Sequence, residues 1–335
     1  MENGGIRPKQ NNRRIQPEND RLNKYLKAEM PVIHDAHPTA IFDLVDGDVL
    51  DEWESYPEGK LAVYPFGTDI QDPDHLRDLC NLLFNAVVDI AQAQEMGISA
   101  PKPNVKAMSI HRHPTTFLVY NLTEEQRKTL LQREVWASQE ITFRVAPTDP
   151  SRPKYLFSIS GYTSQIKADV RELVLRTWTD EISQEFFNTL SQDMETDDCN
   201  LPQLNLVGFI KSLSVNVLPL VIRKKKPNSE DEYVSILTPR FYIYADSDHI
   251  PDFQTWAEIR HFLANRIYQS TKLGQGTNFI APHNCGICHG ADHPRGFCQF
   301  PDIPNWCGPK RRVENREKGG NNRSIHFPKA KKPRF

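Results

Sequence analysis

No apolar run in the 335-residue chain approaches the ~18 residues that a membrane-spanning helix requires. The first 30 residues are rich in Asn, Arg and Lys and lack the apolar centre of a secretory signal, so a soluble, intracellular protein with no membrane partner is expected. Walker loops, G-x-S-x-G elbows and H-E-x-x-H pairs are missing, which removes the commonest nucleotide-hydrolysing, acyl-transferring and zinc-protease signatures. Cysteine is scarce, at six residues, too few in so long a chain for a disulfide framework. Hydrophobic residues make up 38%, against the ~45–50% of ordinary globular chains. That still suffices for one or two cores, and the length suggests about two domains.

Net charge is also small, at −2, but it sums unlike parts. Residues 310–335 hold ten Lys and Arg against two Glu, a net +8, and residues 1–30 carry +3. Residues 31–309 therefore carry −13. An acidic body with basic ends does not follow a phosphate backbone over its whole surface. Attraction to nucleic acid is expected from the C-terminal end, through Lys310, Arg311, Arg312 and the residues after them. A solubility tail or a nuclear-import signal would read the same way.

Four of the six cysteines crowd the same end, and between Cys285 and Cys298 the chain reads C-x2-C-x4-H-x4-C, with Cys288 and His293 inside. Zn2+ favours four soft or borderline ligands in a tetrahedron. Two residues between cysteines let one turn aim both thiolates at a point, the x4 steps return His293 and Cys298 to it, and Gly286, Gly290 and Gly296 would ease the backbone. Four protein ligands close the site, so the ion is expected to be structural, supplying folding energy on the order of 10–16 kcal/mol to a segment with almost no core. A redox Cys-x-x-Cys would need neither His293 nor Cys298, while His283, His289 or Cys307 could replace one ligand.

The spacing resembles the zinc knuckle of retroviral nucleocapsid and Gag proteins and of many cellular RNA-binding proteins. The wider segment from Cys285 to Trp306 is similar to the C-terminal part of fungal proteins akin to the Gag-like, first-reading-frame proteins of retrotransposons. The resemblance implies binding of single-stranded RNA or DNA. Two positions depart from it: Gly286 stands where an aromatic usually follows the first cysteine, and Asp292 where a glycine usually precedes the histidine. Phe297, Phe300 and Trp306 are then the available stacking faces, or else they pack around the metal turn. Arg295 joins Phe297, Trp306, Lys310, Arg311 and Arg312 as candidate nucleic-acid contacts.

The rest reads as α+β. Residues 1–35 form a polar, basic, disordered segment, 36–150 a helix and a first unit, 151–281 a second unit, 282–308 the knuckle and 309–335 a disordered basic tail. A helix is expected over Ala40–Trp53, capped by Thr39. Two β-α-β-β-α-β series come next, the pattern of ferredoxin-like or RRM-like units. The first runs Lys60–Phe66 (strand), Asp74–Gln94 (helix), a hairpin of Val105–Arg112 with Thr116–Leu122, Thr123–Arg133 (helix) and Ile141–Ala146 (strand). The second runs Tyr155–Ser160 (strand), Gln165–Trp178 and Ile182–Leu190 (helices), Phe209–Ile222 and Tyr233–Ala245 (strands), Phe253–Tyr268 (helix) and Thr277–Ile280 (strand). Alternatively, Phe117–Leu122 would be the first strand of an RRM starting at residue 115. Along Arg240–Tyr244 the alternation puts Tyr242 and Tyr244 on one face and Phe241 on the other, so at most one set is free for bases.

His111, Arg112 and His113 read as hairpin residues, Asp246 to His249 as a loop with a helix cap, and Arg223 to Lys226 as a basic turn blunted by Glu230, Asp231 and Glu232. The pair His34 and His37 is assigned nothing. The leading expectation is a non-enzymatic zinc-knuckle protein that grips single-stranded RNA or DNA, with an acidic body serving self-association. A zinc-organised protein-docking module ranks second, and an enzyme with an unrecognised site third.

Overall fold

The computed structural model describes residues 30–67, 73–104, 113–149, 152–195, 204–225 and 233–311. These form two larger antiparallel sheets with helices, an α+β architecture. The first sheet is built from β1 (Leu61–Pro65), β2 (Gly97–Ser99), β3 (Phe117–Tyr120), β4 (Val135–Ala137) and β5 (Thr142–Pro147), in the order β2-β3-β1-β5-β4. Helix α1 (Gly47–Ser55) precedes it, α2 (Pro73–Ala91) joins β1 to β2, and α3 (Glu124–Leu131) joins β3 to β4. The second sheet contains β6 (Tyr155–Ser160), β7 (Ser214–Lys225) and β8 (Tyr233–Tyr244). Helices α4 (Lys167–Trp178), α5 (Glu181–Glu195) and α6 (Leu206–Lys211) lie between β6 and β7, and α7 (Phe253–Ala264) comes after β8. After a two-stranded turn of β9 (Gln269–Ser270) and β10 (Gly274–Gln275), β11 (Thr277–Phe279) completes the order β11-β6-β8-β7.

Local chemistry accounts for most of these elements. Leu79, Leu83 and Val87 put a buried stripe on α2 at helical spacing. Thr123 caps α3 in a reciprocal capping box with Gln126. The expected 40–53 helix is instead two pieces, a 3-10 turn over Ala40–Phe42 and α1, because Leu44 takes a left-handed φ of 67° and Asp46, not Thr39, supplies the cap. The expected strand from Phe209 begins only at Ser214, because Asn205 accepts the Gly208 N–H and starts α6 there. β3 is flanked on both sides, by β1 and β2, so it has no edge for the expected 105–112 partner, which lies outside the described residues, and it does not open a sheet.

Each sheet buries one face under its helices. Leu61, Val63, Phe117, Val119, Phe143 and Val145 meet α2 and α3, whereas Phe157, Ile159, Phe241 and Ile243 meet α4, α5 and α7. The opposite faces are covered as well. In the first sheet Ala62, Tyr64 and Ala146 lie under Ile41, and Leu118 lies under Val45 and Trp53. In the second, Tyr155, Tyr242 and Tyr244 lie under Ala36 and Ala291. Neither aromatic set of the 240–244 strand is therefore free for bases: one is core and the other is roofed by the C-terminal loop.

Arg144 locks the segment entering the fold onto the first sheet. Its guanidinium holds Asp35 with two bonds, of 2.7 and 2.9 Å, and its Nε donates to Glu134 at 2.9 Å. The three side chains are 10–19% exposed, so little water competes for them.

Candidate metal centre

The C-terminal loop folds through backbone bonds alone at first. The Cys285 N–H donates to Gly290 O at 2.8 Å and the His289 N–H to Cys285 O at 2.9 Å, which closes a turn around Cys288. The left-handed positions of this turn are Asn284 (φ 52°) and His289 (φ 62°), whereas Gly286, Gly290 and Gly296 keep ordinary φ. Asparagine and histidine tolerate that region better than most side chains. A 3-10 turn over Arg295–Phe297 then returns the chain to place Cys298.

The result brings together the four side chains expected from the spacing. One ligand atom each from Cys285, Cys288, His293 and Cys298 lies within 4.8 Å of all the others. The three cysteines are buried. The rival ligands are occupied elsewhere or exposed. His283 Nε2 accepts from the Tyr242 hydroxyl at 2.6 Å, His289 Nε2 donates to Pro65 O at 2.9 Å, and Cys307 is exposed.

The electrostatics fit a cation. Hydrogen bonds from Cys288 and Cys298 pull the Cys285 thiol far below its ordinary value, whereas hydrogen bonds to Cys285 and Cys298 push Cys288 up. Burial works against a charged His293, but the Asp292 hydrogen bond and the cysteine sulfurs outweigh it and push the ring up to about 12. Sulfurs and an imidazole this close cannot all keep their usual protons, and a cation that accepts their lone pairs relieves the conflict.

Asp292 has a role the sequence did not disclose. Its Oδ1 accepts from His293 Nδ1 at 2.7 Å, which leaves Nε2, 3.4 Å from the Cys288 sulfur, as the ligating nitrogen. Its Oδ2 accepts from the Tyr244 hydroxyl at 2.8 Å. Burial opposes the Asp292 charge, but hydrogen bonds from His293 and Tyr244 and the nearby His34 hold its pKa below the usual carboxylate value. Such a carboxylate–histidine pair fixes the tautomer of a metal-bound imidazole. The carboxylate that stands where a glycine usually precedes the histidine is therefore engaged inside the site.

The loop is docked against both sheets. Toward the first, the Gly67 N–H donates to Ile287 O at 3.0 Å, His289 reaches Pro65 O, and Phe66 packs edge-on against Phe300. Gly67 has φ +65°, and a Cβ there would sit 2.8 Å from the Pro309 ring, so the close approach needs a glycine. Toward the second, Tyr242 and Tyr244 hold His283 and Asp292, and the Ala291 N–H donates at 2.7 Å to His34 O of the entering segment, whose ring packs on Tyr244.

The candidate nucleic-acid contacts divide. Trp306 packs on Phe66 and Phe300, and its indole N–H donates to Pro309 O at 3.1 Å. Phe300 is buried in the same cluster. Arg311 is bound to Asp302 and to Cys298 O. Arg295 spans Gly286 O and Lys310 O at 3.3 and 3.4 Å. Lys310 is exposed, Phe297 is half-buried outside the apolar clusters, and Arg312 lies outside the described residues.

No helix among the described residues is long and apolar enough to cross a membrane. No family model and no curated protein matches the chain. A solved structure described as a CRISPR associated protein Cas6 aligns at 11% identity over 57% of this chain and 88% of that one, with a TM-score of 0.16, a likeness too small to carry an argument. What the chain itself provides is a closed Cys3His cluster able to hold a metal ion between two antiparallel sheets.

Proposed function

We propose that the protein is a non-enzymatic, zinc-stabilised binder of single-stranded RNA or DNA, of the Gag-like type that its knuckle spacing resembles. Cys285, Cys288, His293 and Cys298 would hold Zn2+, which supplies four-coordinate cross-linking and no open position for catalysis. The two sheets read as tandem split βαβ units, the second with its first and third strands central and the first with an added strand, β4. Their covered faces turn recognition away from an aromatic platform and toward the loop and the basic residues beyond it.

One observation carries the reading. The cysteine ligands are buried, while Lys310, at the end of the loop, is exposed and is followed by residues 312–335, which hold eight Lys and Arg against two Glu. Phosphate neutralisation makes binding fall steeply with salt, with a slope of about −0.7 per contact for single strands. The test is a salt titration of a fluorescein-labelled, mixed-sequence 12-nucleotide strand with the zinc-loaded full chain and with a chain ended after Arg311, which keeps the Arg311 contacts to Asp302 and Cys298. A shallower slope for the shorter chain supports the reading, and no binding by the full chain at low salt ends it.

Self-association is the second reading, and the β7–β8 ribbon favours it. Beyond Arg240, where β6 ends, the ribbon continues on its own, and the facing pair Val221 and Leu237 is 60% and 52% exposed. An isolated two-stranded ribbon is marginal in water, and a second copy of the chain would cover it. Sedimentation velocity of Val221→Lys with Leu237→Lys against the parent chain reads this directly.

A further inference from the structure

A cleft of about 600 Å³ opens between the C-terminal loop, the start of β7 and the start of α4. Phe297 and Gln299 line it from the loop, Ser214 and Asn216 from β7, and Lys154 and Lys167 from the chain flanking β6. We propose that this cleft binds a nucleotide within a single-stranded nucleic acid, its base against Phe297 and its phosphate at Lys167. The inference rests on the reading of the protein as a nucleic-acid binder and gives that binding a place.

Three features set the cleft apart from ordinary surface. Phe297 is the one aromatic of the 295–306 segment that does not pack into the cluster around the cysteines, where Phe300 and Trp306 sit. A half-buried ring at the edge of a cleft offers a stacking face that any base can use. Lys167 is the first residue of α4, where the helix dipole disfavours a cation, and Ile166 provides no side-chain cap. The carboxylate of the same turn, Asp169, is instead paired with Lys272 at 2.9 Å. A charge placed against local preference is the kind of inconsistency that marks a site rather than a scaffold. Finally, the carboxylates of the cleft are already engaged. Asp292 serves His293 and Tyr244, and Asp246 accepts from the Asp248 N–H at 3.3 Å and pairs with Lys154 at 3.2 Å. They therefore oppose a phosphate less than their formal charges suggest. Ser214, Asn216 and Gln299 are exposed hydroxyl and amide groups of the type that meets base edges and ribose hydroxyls.

Lys167→Glu and Phe297→Ala test the assignment in the zinc-loaded full chain, by fluorescence anisotropy with the same labelled strand. Lys167→Glu places a carboxylate at the favourable end of α4, and Phe297→Ala removes a ring outside the core, so both variants should keep the parent's melting temperature and zinc content. The expected result is a loss of affinity on the order of tenfold for each variant, a salt slope shallower by about 0.7 for Lys167→Glu, and photo-cross-links from an iodouridine-substituted strand at Phe297. Parent-like affinity in both variants, with binding lost only when the chain ends after Arg311, overturns the cleft and leaves the general reading standing. Absence of binding by the parent chain overturns both.

Discussion

Replacing Tyr244 by Phe deletes one oxygen and asks whether the second sheet helps to hold the metal ligands. The hydroxyl donates to Asp292 Oδ2 at 2.8 Å, and Asp292 in turn fixes His293 at 2.7 Å. Burial and the adjacent Asp292 charge keep the proton on Tyr244, so the bond has one polarity only. Asp292 is 12% exposed and His34 Nε2 lies 3.9 Å from the same oxygen, so no other protein group replaces the lost bond at hydrogen-bond distance. Leaving a buried acceptor unpaired costs about 1–3 kcal/mol, which is about 5–150-fold in an equilibrium constant and overlaps the 10–100-fold typical of lost outer-shell partners. Zinc competition against a chromophoric chelator at pH 7.5 should therefore show affinity lower by about one to two orders of magnitude, with a melting temperature lower by several degrees. Tyr56→Phe, which removes a hydroxyl bonded to the surface Glu52 and leaves the ring stacked on Tyr120, is the control. Parent-like zinc affinity in Tyr244→Phe would refute the chain Tyr244–Asp292–His293.

Other perturbations reach the rest of the fold. Arg144→Met leaves Asp35 and Glu134 facing each other without their cation, and urea unfolding should report a loss of about 3 kcal/mol, partly recovered by adding Asp35→Asn; a loss below about 1 kcal/mol would show that the network is dispensable. Burial and the Arg240 charge lower His283 to about 4, below its ordinary 6.5. Between those values the unfolded chain takes up a proton that the folded chain refuses, so this contribution is complete above pH 6.5 and fades as pH falls toward 4. His34, lowered mainly by burial, acts in the same direction. In His283→Gln the decline of stability between pH 6.5 and 4 should be shallower than in the parent, and identical slopes would contradict the assignment.

Much of this was legible in the sequence because its causes are local. The α2 stripe, the Thr123 cap and the four ligand positions each depend on residues within one or two turns of one another. The alternation along β8 likewise separated Phe241 from Tyr242 and Tyr244. The misses have long-range causes. The apolar pattern from Ala40 to Trp53 runs through a break at Leu44 because both pieces cover the same sheet face, so tertiary burial imitates a single helical period. β2 has only three residues, too few for an alternation to show, and the sequence offered the nearer 105–112 segment as the partner of β3 instead. Trp306, flanked by Pro304 and Gly308, looked available for stacking, yet its partner Phe66 lies some 240 residues earlier in the chain. Asp292 stood out only as a departure from the resembled spacing because Tyr244, which satisfies its outer oxygen, is remote in sequence.

The central claim is that one ion, held by Cys285, Cys288, His293 and Cys298, fastens the two sheets to a common loop. Hydrogen–deuterium exchange of the zinc-loaded chain, before and after chelation, measures this at two amides: Gly67, bonded to Ile287 O from the first sheet's side, and Ala291, bonded to His34 O of the entering segment, whose ring packs on Tyr244 of the second. Joint loss of protection at both on removal of the metal is the expected outcome. Unchanged exchange at either amide would mean that the loop holds its place without the ion, contradicting the claim.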